Sequence, residues 1–259
     1  MVPRRNRATT IVKFPIVSCI FAFSIHVGQA ADLSAGTPPA AVPEIFPHWF
    51  IRLGALGVIS ESTSKLYVQQ QTVGVIGVGP QVLVPGRSQN YSNLLSISVQ
   101  AGYFITPNWS LEVASGFPVW QTARITGASV IAPFPGTLLS TALPAALPIT
   151  AVYHFTQFGA LQPYAGIGLT PIFALSTRDN FSVGASTEPS VGLVLQGGFD
   201  YMLNKNWGVF IDAKTYLDRS VSKATGLNYG PPLGVIDTAA TAVTHVQPWV
   251  LATGVTYRF

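Results

Sequence analysis

Residues 96–117 alternate between two kinds of side chain. Ile97, Val99, Ala101, Tyr103 and Ile105, then Trp109, Leu111, Val113, Ser115 and Phe117, make a set that is apolar apart from Ser115. Ser96, Ser98, Gln100, Gly102 and Phe104, then Ser110, Glu112, Ala114 and Gly116, make a set of mostly small or polar residues. A period of two puts successive side chains on opposite faces of a strand. Thr106-Pro107-Asn108 between them has the composition of a tight turn. The segment reads as a β-hairpin whose two faces meet different surroundings.

The same alternation recurs along the chain. It predicts a first strand over 49–60, the hairpin strands, and further strands over 145–155, 162–175, 190–203, 207–217 and 248–259. That makes eight. Short turns at 106–108, 156–161 and 204–206 alternate with long connections at 61–91, 118–144, 176–188 and 218–246. Short turns at one end and long loops at the other are the layout of an outer-membrane barrel.

Charge decides which face meets water. Arg52, Glu112, His154, Asp200, Asp212, Lys214 and Arg258 all fall on the small or polar face. A soluble sandwich or lipocalin-like barrel would turn that face outward. Against it, Trp49, Tyr103, Trp109, Tyr153, Phe155, Trp207, Tyr257 and Phe259 lie on the apolar face near the short-turn ends. An aromatic ring at that level marks a membrane interface. The expected fold is all-β, an eight-stranded antiparallel up-and-down transmembrane β-barrel. Closure removes the strand edges that lipid could not solvate.

Composition agrees. Only 9% of the 259 residues are charged, against about a quarter in ordinary soluble domains, and no apolar run beyond residue 30 is long enough for a membrane helix. Arg4, Arg5, Arg7 and Lys13 precede an apolar run over 14–27 and then Gly28-Gln29-Ala30. That is the pattern of a secretory signal peptide, expected over 1–30. Its removal takes four of the 14 basic residues and none of the 10 acidic ones, leaving no net charge. The basic precursor therefore gives no support for a nucleic-acid partner. Cys19, the one cysteine, lies inside this signal, so no disulfide or thiol site is expected in the mature chain. Residues 31–48 are rich in Ala and Pro and read as an irregular lead-in to a barrel over 49–259.

Within the barrel, the seven charged or ionisable residues are expected to form a plug low in the lumen. Buried charges persist when paired and hydrogen-bonded. Higher on the same face the residues become apolar: Leu56, Val58, Leu94, Pro148, Ile172, Val194, Tyr216 and Val250. These are either a path for a hydrophobic guest or a packed core, and the residues alone leave both open. The connections over 73–84 and 130–147 are apolar for surface segments, which favours binding. Glu112 and His154 could be an acid/base pair, but no nucleophile or metal cluster accompanies them. No enzyme activity, metal or cofactor is expected. Gly166/Gly168 and Gly197/Gly198 lie inside strands with no helix following, so they read as close strand packing rather than a nucleotide loop.

Several motifs carry a resemblance. They are Trp49-x-x-Arg52-x-Gly54, Tyr103-Phe104-Ile105-Thr106-Pro107-Asn108-Trp109 and Leu147-Pro148-Ile149-Thr150-x-x-Tyr153-His154-Phe155. Gln162-Pro163-Tyr164-x-Gly166-x-Gly168, Gln196-x-Gly198-x-Asp200-Tyr201 and the terminal Tyr257-Arg258-Phe259 complete the set. Together they resemble the OmpW family of eight-stranded outer-membrane proteins. The resemblance implies a Gram-negative outer-membrane channel or binding protein for small hydrophobic molecules, with lateral release into the bilayer. Pro148 and Pro171, lacking N–H donors, place the expected exit between the fourth and fifth strands. The resemblance also implies contact with outer-membrane lipid and recognition of the terminal Phe259, with Tyr257 and Val255, by barrel-assembly machinery. The alternative class is a structural or surface-receptor barrel whose loops bind host, phage or bacteriocin partners. The polar connection over 176–188 is the segment suited to that role.

Overall fold

The structure is a computed structural model that describes residues 47–70, 79–127 and 134–259. The expected signal peptide, nearly all of the Ala/Pro-rich lead-in and parts of the connections over 73–84 and 130–147 lie outside these residues. None of the described residues forms a helix long and apolar enough to cross a membrane.

The first strands are β1 (Trp49–Ile59), β2 (Ser62–Gln69), β3 (Gln81–Leu83), β4 (Ser88–Tyr91), β5 (Leu94–Phe104) and β6 (Trp109–Gly116). Then come β7 (Gln121–Thr126), β8 (Leu138–Ala146), β9 (Ile149–His154), β10 (Leu161–Asp179), β11 (Ser182–Val183) and β12 (Ser186–Thr187). The last are β13 (Ser190–Met202), β14 (Trp207–Asn228), β15 (Val235–Val246) and β16 (Trp249–Arg258). Eight of these close a ring in the order β1, β5, β6, β9, β10, β13, β14, β16 and back to β1, every pair antiparallel. The seam is tied at the chain end, where Trp49 and Phe259 exchange backbone N–H···O bonds of 3.2 and 3.0 Å.

The expected eight-stranded antiparallel barrel is thus the core of the structure, but the long connections are not loops. Strands β10 and β14 run on through 176–179 and 218–228, and β2, β4, β7, β8 and β15 build the wall further in the regions read as connections. The alternation fades there for a physical reason. Beyond the lipid the outward face no longer needs apolar residues and the inward face of β15 carries small ones, so a sequence such as VIDTAATAVTHV shows little contrast between them.

Where lipid is expected, the contrast is complete. Leu95 is 82% and Ile97 58% exposed on the outward face, while Arg52 and His154 are fully buried inside. At the short-turn end the outward aromatics pack on one another: Trp49 on Tyr103, Trp109 on Tyr153, Tyr153 on Phe155, and Trp207 on Tyr257. The turns are held by asparagines. Asn108 Nδ2 donates to the His154 carbonyl (2.9 Å) and Asn206 Nδ2 to the Arg258 carbonyl (2.8 Å), so each turn grips the neighbouring strand at a residue of the plug.

The plug gathers all seven expected residues. Arg52 Nε and Nη2 donate to the two oxygens of Asp200 (3.1 and 2.9 Å), and its Nη1 donates to Glu112 Oε2 (3.0 Å). Arg258 Nη2 also donates to Asp200 (3.0 Å). Gln196 Nε2 bridges Glu112 and Asp212 at 2.9 Å each, and its own carbonyl accepts from Thr150 (2.7 Å). Tyr164 donates to Asp212 (3.0 Å), which also pairs with Lys214, and Lys214 reaches Gln100 (3.4 Å). Ser110 and His154 cover the other oxygen of Glu112. Each of the eight ring strands contributes at least one group. Gln100, Thr150, Tyr164 and Gln196 were not singled out from the sequence, although they share the inward parity.

Two glycines make room for the guanidinium at its centre. Arg52 lies 4.6 Å from the Phe50 ring centroid and 4.7 Å from that of Tyr164. A Cβ on Gly102 would collide with the Phe50 ring, and one on Gly198 would lie 2.7 Å from the Tyr164 hydroxyl. Gly166 faces the β9 backbone in the same tight way, consistent with strand packing.

Two outcomes follow for barrels refolded into lipid vesicles and unfolded in urea. Arg52→Met leaves Glu112 without its guanidinium and Asp200 with Arg258 alone, and should cost about 3–5 kcal/mol; combining it with Glu112→Gln should cost less, because Asp200 keeps Arg258 and no carboxylate is left without a cation. Gly102→Ala should cost about 1–3 kcal/mol by pushing the Phe50 ring off the guanidinium, and Ser98→Ala on the same strand should cost less.

Candidate functional site

Immediately above the plug the lumen opens into a chamber. Leu56 and Val58 reach it from β1, Leu94 from β5, Ile172 from β10, Tyr216 from β14 and Val250 from β16, with Pro148 at the entry to β9. These are seven of the eight residues expected to form an apolar path. The eighth, Val194, does not line the space. It is fully buried and packs with Tyr216 and Val250 as part of the wall. Gln100, Asp212 and Lys214 form the floor, so the chamber stands directly on the plug.

The chamber has room for about 190 Å³ of guest. An apolar protein cavity of roughly 150 Å³ holds a benzene molecule, so a single small aromatic body is the right scale. Leu, Val, Ile, Ala and Pro make up about half of its lining, with serines, Gln100, Gln121 and Asp218 among the rest. An apolar space of this kind offers a water molecule few hydrogen bonds and a hydrophobic guest many contacts.

The wall beside the chamber is incomplete on one side. Strands β6 and β9 pair from Trp109↔Tyr153 to Val113↔Ile149, and Ala114 N donates to Pro148 O (3.1 Å) as the last rung. Pairing between the same walls resumes only at Gln121↔Ala142 in β7 and β8. No ladder bond joins residues 115–120 to 143–147 among the described residues. Phe117, Pro118 and Val119 on one edge, and Pro144 and Ala146 on the other, line the chamber. Pro118 and Pro144 in this stretch have no N–H to donate.

This corrects the expected position of a lateral exit. The fourth and fifth strands are joined without a break: Leu169 pairs with Ile149, Leu147 N donates to Pro171 O (3.1 Å), and Ile172 pairs with Ala146. Pro171 loses its own donor but keeps a ladder bond through its carbonyl. Pro148 does border a break, on its other side, between the third and fourth strands.

Above the chamber is a polar collar that sequence reading did not find. Gln121 Nε2 donates to Ser60 Oγ (3.0 Å) and to the Ser92 carbonyl (2.8 Å), Ser190 Oγ donates to Asp218 (3.0 Å), and Glu188 pairs with Lys223. Asp218 and Ser220 continue the inward parity of Asp212, Lys214 and Tyr216, which was the available signal. They fell in a stretch read as a connection.

A second apolar space, of about 300 Å³, lies beyond the collar along the same strands. Leu66, Ile125, Leu139 and Leu227 line it, and Phe181 packs both on Ala123, Ile125 and Leu139 and on the Tyr229 ring at 5.2 Å. The connection over 176–188 thus sends an aromatic inward, while Asp179 accepts from the N–H groups of Gly184 and Ala185 to shape its tip. Burial pushes the Tyr229 phenol up, partly opposed by Arg87, so it stays protonated. Among the described residues no cluster of His, Cys, Asp and Glu is arranged to hold a metal ion.

Comparison with known proteins places this geometry. A model described as the OmpW family matches residues 59–259. A protein named "uncharacterized outer-membrane protein y4mB", from Sinorhizobium fredii (strain NBRC 101917 / NGR234), is 30% identical over 246 residues, covering 92% of this chain and 93% of its own. The dibenzothiophene metabolism operon protein PahQ of Pseudomonas aeruginosa is 26% identical, covering 69% of this chain and 77% of its own. Among solved structures, the outer membrane protein OprG of Pseudomonas aeruginosa aligns with a TM-score of 0.68 at 18% identity, covering 83% of this chain and 96% of OprG, a likeness of fold. The lipid-facing barrel, its aromatic ring and a family match over most of the chain agree: this chain belongs to the OmpW family of outer-membrane barrel proteins, is not an enzyme, and resides in the outer membrane of a Gram-negative bacterium.

Proposed function

We propose that the barrel carries small hydrophobic molecules from outside the cell through its apolar chambers and releases them sideways into the outer membrane. The observation that supports this best is the combination of a closed floor and an open side. The plug ties all eight ring strands across the lumen, and the chamber that stands on it reaches the unpaired stretch between residues 115–120 and 143–147. An apolar guest gains by leaving water for the chamber and loses nothing on passing from there into hydrocarbon. The chamber volume fits one aromatic ring. PahQ is named for an operon of dibenzothiophene metabolism, an aromatic compound of three fused rings, of which the lower chamber would take one at a time.

Assembly follows from the same outer face. Phe259 and Val255 are exposed on it beside Tyr257, and this terminal aromatic pattern is proposed as the feature that barrel-assembly machinery reads.

Uptake of a labelled small aromatic hydrocarbon should be measured in cells lacking the protein and in cells expressing it at matched surface levels. Expression should speed uptake. Val58→Trp, which fills the chamber, should slow it by about tenfold, a change of about 1.4 kcal/mol in the barrier, without changing the amount of folded barrel. Equal uptake with and without a folded barrel would reject transport of that solute class and leave the surface-receptor reading.

A further inference from the structure

The charges around the lower chamber are balanced except at one residue. Asp212 and Lys214 pair at the floor, and Glu188 pairs with Lys223 at the collar. Asp218 also lines the chamber, is 8% exposed, and takes part in no ion pair among the described residues. Its Oδ2 accepts from Ser190 Oγ at 3.0 Å, and its Oδ1 has no hydrogen-bond partner. In the plug the opposite holds: both oxygens of Glu112, Asp200 and Asp212 are taken. Arg219, the next residue, points to the exposed outer face and does not compensate.

A buried carboxylate oxygen without a donor is unfavourable. Among the described residues no side chain supplies a donor to Oδ1. A guest can. Resting on the chamber reading above, we propose that Asp218 sets specificity: the preferred guest has a small apolar body and one hydrogen-bond donor, a hydroxyl or an ammonium, which docks on Asp218. The body fills the space between Leu56, Val58, Ile172 and Val250, and the donor completes the carboxylate. A guest bearing a carboxylate meets a like charge, and among the described residues the one cation lining the chamber, Lys214, is already paired with Asp212, so it is disfavoured. A pure hydrocarbon fits the body of the chamber but leaves Asp218 unfilled.

The test uses the full-length barrel in lipid vesicles, with protein-free vesicles as the blank for partitioning. Saturable binding of ethylbenzene, 2-phenylethanol, 2-phenylethylamine and phenylacetate is measured by equilibrium dialysis. The alcohol should bind roughly tenfold more tightly than ethylbenzene, as one charge-assisted hydrogen bond provides, the ammonium more tightly still, and phenylacetate should bind most weakly. The near-isosteric Asp218→Asn should lose the preference for the ammonium over the alcohol. Asp218→Leu should lose both preferences and bind ethylbenzene more tightly. Equal binding of all four by the wild type, or a donor preference that survives in Asp218→Leu, overturns the assignment. If ethylbenzene shows no saturable binding that Val58→Trp removes, the chamber reading itself fails and this assignment falls with it. If ethylbenzene does bind in that way and the four solutes are equal, only the role of Asp218 is lost.

Discussion

The barrel depends on the guanidinium of Arg52. It is fully buried, forks onto both oxygens of Asp200, reaches Glu112 and lies between two aromatic rings. A fixed planar fork suits this place, because each of its edges meets an acceptor in a geometry that a lysine could not reproduce. Every further member of the network then has a reason to be polar. Gln196 fills the gap between two acids, Arg258 brings in the last strand, and Asn108 and Asn206 hold the turns beneath. In low dielectric such a cluster depends on its carboxylates being satisfied, and both oxygens of Glu112, Asp200 and Asp212 have partners.

That concentration of polar bonding leaves the space above it free. In a small barrel the interior is ordinarily filled by side chains. Here the strands are already tied to one another low in the lumen, so the upper interior is not required for closure and can remain open. It can also tolerate a break in its wall, because residues 143–146 keep their bonds to β10 even where they have none to the third wall. The same division explains why the collar could acquire a residue such as Asp218 without unravelling the barrel.

The ring and the plug were legible in the sequence, and the reason is lipid. Strands with hydrocarbon on one side and a filled lumen on the other show the greatest contrast between faces, so parity alone assigns Arg52, Glu112, His154, Asp200, Asp212, Lys214 and Arg258 to the interior. Parity is silent about partners, which is why Tyr164 and Gln196 were passed over. The strand extensions were not legible, because the outward faces of β7, β8 and β15 no longer carry a lipid-facing apolar row to contrast with buried residues such as Ile125, Leu139 and Ala242. The break was put one strand away from its place for a related reason. A proline shows that one N–H is missing, but a strand has two neighbours, and only the pairing shows which of them is deprived.

Strand β14 has 22 residues. At about 3.3 Å per residue and a tilt near 40°, it rises roughly 55 Å, against an apolar band about 25 Å tall in barrels of this kind. More than half of it therefore stands clear of the hydrocarbon. The upper apolar space, lined by Leu66, Ile125, Leu139 and Leu227, is carried in that outer part, where no hydrocarbon surrounds the wall.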